Sequence, residues 1–177
     1  MQKSLVITAT GNDRVGVVDD VTKVILAHHG NVDSSRMARL GGVFAMLMLV
    51  SVSEEQQSDL QTALEQLRRQ GFELSIRSTE RGTSKKFAGW HKYQIHVRGA
   101  DHEGIINEIT HHLAQQGVSV ETADTGTEDA PFGGTKLFTM SAMIFSPPDL
   151  SLELLQDEMD AVGNELNVDI EIALYQN

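Results

Sequence analysis

The chain has 177 residues, of which 40% are hydrophobic and 22% charged, a balance that suits an ordinary folded protein and excludes a disordered or membrane-buried one. Its 25 acidic residues outnumber 14 basic ones and leave a net charge of −11, which argues against a phosphate-binding surface of clustered Lys and Arg. With no cysteine, disulfides, thiolate metal sites and a Cys nucleophile are excluded.

From the N-terminus, Leu5-Val6-Ile7-Thr8-Ala9-Thr10 is apolar and β-branched and ends at Gly11, so it reads as a first strand. After it, Val17, Val18, Val21, Val24, Ile25 and His28 recur at the spacing of one buried helix face, with Asp19, Asp20 and Lys23 opposite and Gly30 as the stop. Val32 to Leu40 reads as a second strand, Gly41-Gly42 as a two-residue turn and Val43 to Val52 as a third strand. That third strand is apolar on both faces: Phe44, Met46, Met48 and Val50 alternate with Ala45, Leu47 and Leu49. The face turned away from the helices is therefore expected to be covered, by the second half or by another chain. Ser53 with Gln56 resembles a capping box opening a second helix with Leu60, Ala63, Leu64 and Leu67 as its stripe, and Phe72 to Ile76 alternates as a fourth strand.

Residues 81–90 are polar, basic and glycine-rich and read as a linker, with Phe87 and Trp90 able to tether it. The pattern then restarts. Tyr93 to Val97 reads as a strand, Ile105, Ile106, Ile109 and Leu113 as a helix face, and Val118 to Thr125 as a strand. A longer hairpin is expected over 126–135, then a strand from Lys136 to Phe145. A helix with Leu155, Met159, Val162 and Leu166 follows, and the strand Val168 to Leu174 closes the half. Gly11 and Gly99, Asp13 and Asp101, Gly16 and Gly104, Thr22 and Thr110, Ile25 and Leu113, and Val32 and Val120 all stand 88 residues apart. One offset held that far marks a duplicated module.

The expected fold is therefore α+β: two tandem ferredoxin-like βαββαβ units over 1–80 and 91–177, each a four-stranded antiparallel sheet with two helices on one face. The longest apolar run, Val43 to Val50, is too short for a bilayer, and Met1-Gln2-Lys3-Ser4 leads into a strand without a signal-peptide core. A cytoplasmic location is the expectation.

The candidate chemistry sits where the first strand turns into the first helix. A glycine-containing corner exposes unpaired N–H groups at the positive end of a helix dipole, a place for a carboxylate. The same corner has a purely structural reading, in which Asp13 caps the helix and Gly16 fits a turn; Arg14 likewise either steers an anion or makes a surface ion pair. His28-His29 and His111-His112 are adjacent pairs, which point in different directions on a helix and make poor metal ligands. Gly133-Gly134-Thr135-Lys136 lacks the spacing of a P-loop, and no catalytic motif has supporting context. No cofactor and no enzyme activity are expected. The methionines, including Met46, Met48, Met140 and Met143, read as core filler.

The runs LVITATGNDRVGVVDDV (residues 5–21) and HGNVDSSRMARLGGVFAMLMLVS (residues 29–51) resemble the first ACT domain of the glycine cleavage system transcriptional repressor family, and the second half resembles a more divergent ACT domain. The resemblance implies the βαββαβ fold and amino-acid binding at an interface between two such units. It also implies repression through contact with a LysR-type activator, with glycine as the signal and no DNA contact. It places the ligand on Asn12, Asp13, Arg14, Val15, Gly16, Val17 and Asn31, with matching positions Asp101, His102, Glu103, Gly104, Ile105 and Ser119. In this picture backbone N–H groups of residues 15 to 17 take the carboxylate, while Asp13 and the Asn31 carbonyl take the ammonium.

The chain departs from the family where a proline usually precedes the glycine: Val15 and Glu103 stand there, and Ser119 replaces Asn31. A glutamate beside a carboxylate site is electrostatically unfavourable, so the second unit is the weaker binder. A homo-oligomer is expected. Two other readings remain: an assembly module of ACT type that binds no ligand, and a detached regulatory part of an enzyme such as a deformylase or phosphatase, which the end of the sequence at Asn177 disfavours.

Overall fold

The structure is a computed structural model that describes residues 1–79, 86–130, 134 and 136–175. The chain divides into two compact units, Met1–Thr83 and Ser84–Asn177. Unit 1 runs β1 (Gln2–Asn12), α1 (Val17–Ala27), β2 (Asn31–Leu40), β3 (Val43–Ser53), α2 (Glu54–Gln66), a 3-10 turn (Leu67–Gln70) and β4 (Glu73–Thr79). Unit 2 repeats it with β5 (His91–Ala100), α3 (Ile105–Gln115), β6 (Ser119–Asp129), β7 (Lys136–Ser146), α4 (Leu152–Leu166) and β8 (Val168–Leu174). The sheets have the orders β2-β3-β1-β4 and β6-β7-β5-β8, antiparallel throughout. Both are the ferredoxin-like arrangement expected from the element order.

Each unit has its own core, built from one sheet face and two helix stripes. In unit 1, Leu5, Ile7, Met46, Met48 and Val50 meet Val21, Ile25, Leu60 and Leu64. In unit 2, Ile95, Met140 and Ile144 meet Ile105, Ile109, Leu113, Leu155 and Met159. Burying side chains of this size contributes roughly 1.5–3 kcal/mol each before the entropy cost of ordering the chain. Period-2 alternation places these residues on the helix side, and it turns Val6, Thr8, Leu47 and Leu49 to the other face, where Leu47 is half exposed.

The second helix of unit 1 begins as its sequence suggests, with the Ser53 hydroxyl accepting from the Gln56 amide at 3.3 Å; in unit 2 the structure adds a matching cap, Ser151 accepting from the Leu154 amide at 3.2 Å. The end of α1 differs from expectation. The left-handed residue there is His29 (φ 54°), one position before Gly30; its counterpart in unit 2 is Gly117 (φ 71°). Gly30 serves another purpose, since a Cβ there would lie 2.8 Å from Ile25 Cγ2. The second hairpin is also shorter than expected. Gly126 to Asp129 continue β6, paired with Thr139 to Lys136, and the turn itself includes residues 131–133 and 135, outside the described residues. Within the segment read as a linker, residues 81–85 fall outside them too; Phe87 stacks on Phe145 of β7 at 4.9 Å and meets Trp90 edge-on. Among the described residues no helix is long and apolar enough to cross a membrane.

Candidate functional site

The corner between β1 and α1 is held by contacts of Asp13 and Arg14. Asp13 N–H donates to Gly42 O at 2.9 Å, which ties the corner to the β2–β3 hairpin. Arg39 Nη1, from the end of β2, lies 3.2 Å from Asp13 Oδ2. Arg14 pairs with Asp20 in the first turn of α1 and lies over the Phe72 ring at 5.8 Å. Asp13 therefore does not cap α1. The N-cap is Gly16, left-handed at φ 89° and without a side-chain cap, a backbone state that glycine adopts without a Cβ penalty. Arg14 takes the ion-pair option, leaving its guanidinium fixed beside the corner.

Val17 N–H reaches back toward Arg14 O at 3.4 Å, and Asp20 N–H takes Gly16 O. Among the described residues, the amides of Val15, Gly16, Val18 and Asp19 find no backbone acceptor. Val15 is fully exposed at the apex, while Val17 is buried and roots the helix in the core. Uncapped amides at the positive end of α1 suit a small anion.

The matching corner of unit 2 keeps the skeleton and changes the chemistry. Asp101 N–H donates to Lys136 O at 2.9 Å, Gly104 is left-handed at φ 95°, and Ile105 is buried as Val17 is. His102, at the place of Arg14, crosses to the end of α4: Nε2 lies 2.7 Å from Leu166 O and Nδ1 3.0 Å from Glu103 O. Two carbonyls facing two ring nitrogens favour the doubly protonated imidazolium. The Leu166 carbonyl, then that of Glu103, raise the His102 pKa above its ordinary value, with a smaller push from Asp101. Glu103 is exposed at the apex where Val15 stands in unit 1.

Asn31 is not at this corner. It opens β2 opposite Ser51, which lies opposite Ser4 near the start of β1, whereas Asp13 follows Asn12, the last residue of β1. Nine residues of extended chain separate Ser4 from Asp13, roughly 30 Å at about 3.3 Å per residue. Asn12 closes the corner end of the strand, opposite Val43. Ser119 stands in the same relation to Asp101, opposite Phe145, which lies opposite Lys92 at the far end of its sheet. Within one unit the two halves of the expected ligand set stand at opposite ends of the sheet.

Sequence reasoning missed Arg39 and Phe72, whose places depend on strand register. It also missed Asp33 and Ser51: Asn31 Nδ2 donates to Asp33 Oδ1 at 2.9 Å, and Ser51 Oγ to the same oxygen at 3.0 Å. A separate concavity of about 660 Å³ lies on the helix-free face of the second sheet, lined by His96, Arg98, Asp124, Glu128, Asp169 and Glu171. Its four carboxylates make it a poor receptor for another.

Fold and corner together define a tandem of small α+β modules, each with a left-handed glycine between its first strand and its first helix. The chain belongs to the ACT domain family, whose model matches residues 3–77. A UPF0237 protein of Methanococcus maripaludis is 35% identical over 77 residues, covering 42% of this chain and 82% of that protein. The glycine cleavage system transcriptional repressor of Escherichia coli is 44% identical over 52 residues, 29% of this chain and 27% of the repressor. Among solved structures, a protein of unknown function from Galdieria sulphuraria superposes with a TM-score of 0.83 at 34% identity, over 99% of this chain and 100% of that one. A candidate glycine cleavage system transcriptional repressor of known structure gives 0.74 at 24% identity over 100% and 99%, a likeness of fold.

Proposed function

We propose that this is a regulatory, non-enzymatic amino-acid sensor that acts through protein contact, in the manner the repressor likeness suggests. The ligand is glycine or a similarly small amino acid. Its carboxylate sits on the amides after Asp13, and its ammonium meets the Asn31 carbonyl of a facing unit. The observation that carries this reading is the separation of Asn31 from the Asp13 corner along a sheet whose edge strand is β2. A second copy laid antiparallel along β2 brings its own Asn31 to the Leu40 end, beside the corner, so each site is shared by two chains. Ligand binding then favours the paired arrangement over others and changes the surface offered to a LysR-type activator partner. Unit 2, with Glu103 at its apex and Ser119 for Asn31, is the weaker site.

Titration calorimetry with glycine, alanine and serine tests this directly. Asp13→Ala and Asn31→Ala each abolish binding, while an equal mixture of the two variants regains about a quarter of the wild-type sites, because about half of the pairs are mixed and each mixed pair rebuilds one intact site in two. No binding by the folded wild-type protein ends the sensor reading. A second reading, an assembly module without ligand, is favoured by the exposed apolar positions Leu40, Val43 and Leu47. It predicts association that ignores all three amino acids.

A further inference from the structure

We propose that Asp33 is a positioning residue that fixes which end of the Asn31 side-chain amide faces the ligand, and so fixes the ligand's polarity in the site. The inference rests on the sensing reading above. A primary amide carries a donor end and an acceptor end of nearly the same size, and only its surroundings decide which points outward. A carboxylate solely accepts, so with Asp33 Oδ1 at 2.9 Å the Nδ2 end of Asn31 is turned inward and the carbonyl outward. Ser51 Oγ, on a residue buried in β3, donates to the same Asp33 oxygen at 3.0 Å and holds the carboxylate in place.

The backbone is shaped for this contact. Pairing between β2 and β3 passes from Val32 opposite Val50 to Ser34 opposite Leu49, so Asp33 is the extra residue of a bulge. Bulges re-aim a side chain without breaking the sheet. Unit 2 keeps a bulge at the matching place and loses the device. There Glu121 is the extra residue, Ser119 replaces the amide, Phe145 stands where Ser51 does, and Glu121 turns to Lys92 at 3.5 Å. An outward carbonyl accepts from an ammonium; an outward NH2 would call for a carboxylate. Asp33 thereby commits unit 1 to a zwitterion whose ammonium faces β2 and whose carboxylate faces the helix corner.

The test uses the full chain with glycine as probe in calorimetry. Asp33→Asn keeps the shape but lets residue 33 donate to the Asn31 carbonyl, and glycine affinity should fall at least about tenfold with the circular dichroism unchanged. Ser51→Ala should cost less than about threefold. The exchange Asn31→Asp with Asp33→Asn restores an outward acceptor held by an inward donor, so affinity should return to within about threefold of wild type, a rescue that a merely structural role would not give. Should Asp33→Asn fail to fold, proton exchange on the wild-type protein decides. The two Asn31 Nδ2 protons should then exchange with water at rates differing at least about tenfold.

Wild type binding glycine with Asp33→Asn equal to it, no rescue by the exchanged pair, or equal exchange rates overturns the role of Asp33 and leaves the sensing reading intact. Absence of glycine binding by the wild type overturns both.

Discussion

The two units share a fold and a core chemistry, yet their exposed positions diverge in one direction. Val15, Leu40 and Leu47 are exposed in unit 1; their counterparts are Glu103, Glu128 and Ser141, the last matched because it lies opposite His96 as Leu47 lies opposite Thr8. Corner for corner, Arg14 lies over Phe72 in unit 1, whereas His102 holds the last carbonyl of α4 in unit 2. At the far end of the sheet, an aspartate that accepts from Ser51 grips Asn31 in one unit, and a lysine over Phe145 and Tyr175 stands there in the other. After duplication, packing constrains the interior of both copies, while surface residues cost little to change and can specialise. At these positions unit 1 exposes apolar side chains and unit 2 carries polar ones.

The sharpest way to separate the two copies is to add one methyl group at the glycine they share. A Cβ at Gly99 would lie 2.6 Å from Val168 Cα and 2.7 Å from Asn167 O, backbone atoms that cannot turn aside; at Gly11 the nearest atom is Gly71 O at 3.2 Å. Gly99→Ala should destabilise unit 2 by about 3 kcal/mol, and Gly11→Ala should cost unit 1 about 1 kcal/mol. The single tryptophan, Trp90, packs on Phe87 within unit 2 and reports the first by fluorescence in urea; amide exchange reports the second. Equal costs would break the comparison.

A smaller effect separates His102 from Arg14 by pH. The folded pKa of His102 is raised, so its stabilising contribution is present in full below the ordinary value of 6.5 and is lost as pH rises through the folded value. Asp101 on the corner and the carbonyl end of α4 face this ring. The Trp90-monitored midpoint should fall as pH increases above about 6.5, and His102→Gln should flatten that profile. Arg14, at the matching place in unit 1, carries no imidazole, so this contribution has no counterpart at that corner. A profile that His102→Gln leaves unchanged would remove the ring from the account.

The smallest change in folding should come from making unit 1 look like unit 2. Val15→Glu, Leu40→Glu and Leu47→Ser should each shift stability by no more than about 0.5 kcal/mol, since all three are exposed. Sedimentation velocity is the informative measurement. If the apolar rim joins copies of the chain, the triple variant sediments as a monomer at concentrations where the wild type does not; unchanged sedimentation assigns association elsewhere.

Much of this architecture was legible in the sequence because its signals are local. Alternation at period two and recurrence at 3.6 need only neighbouring residues, so the strands and main helices of both units, the Ser53 cap and the repeat are legible in the sequence itself. The boundaries that slipped did so where a longer-range contact decided them. His29 takes the left-handed position although Gly30 follows it, because Gly30 is needed against Ile25; β6 runs on to Asp129 because β7 is there to pair with it.

The candidate site divides the same way. The sequence by itself determined the corner, Asp13-Arg14-Val15-Gly16, and its echo, since a glycine between a strand and a helix is a property of adjacent residues. Tertiary structure alone decided that Asp13 answers to Arg39, that Arg14 lies over Phe72, that Asp33 grips Asn31, and that Asn31 stands a sheet's length from the corner. The physical reason is that a residue's own strand or helix follows from its neighbours. Which ends of those elements meet depends on strand order and register, and these are set by the packing of the whole unit.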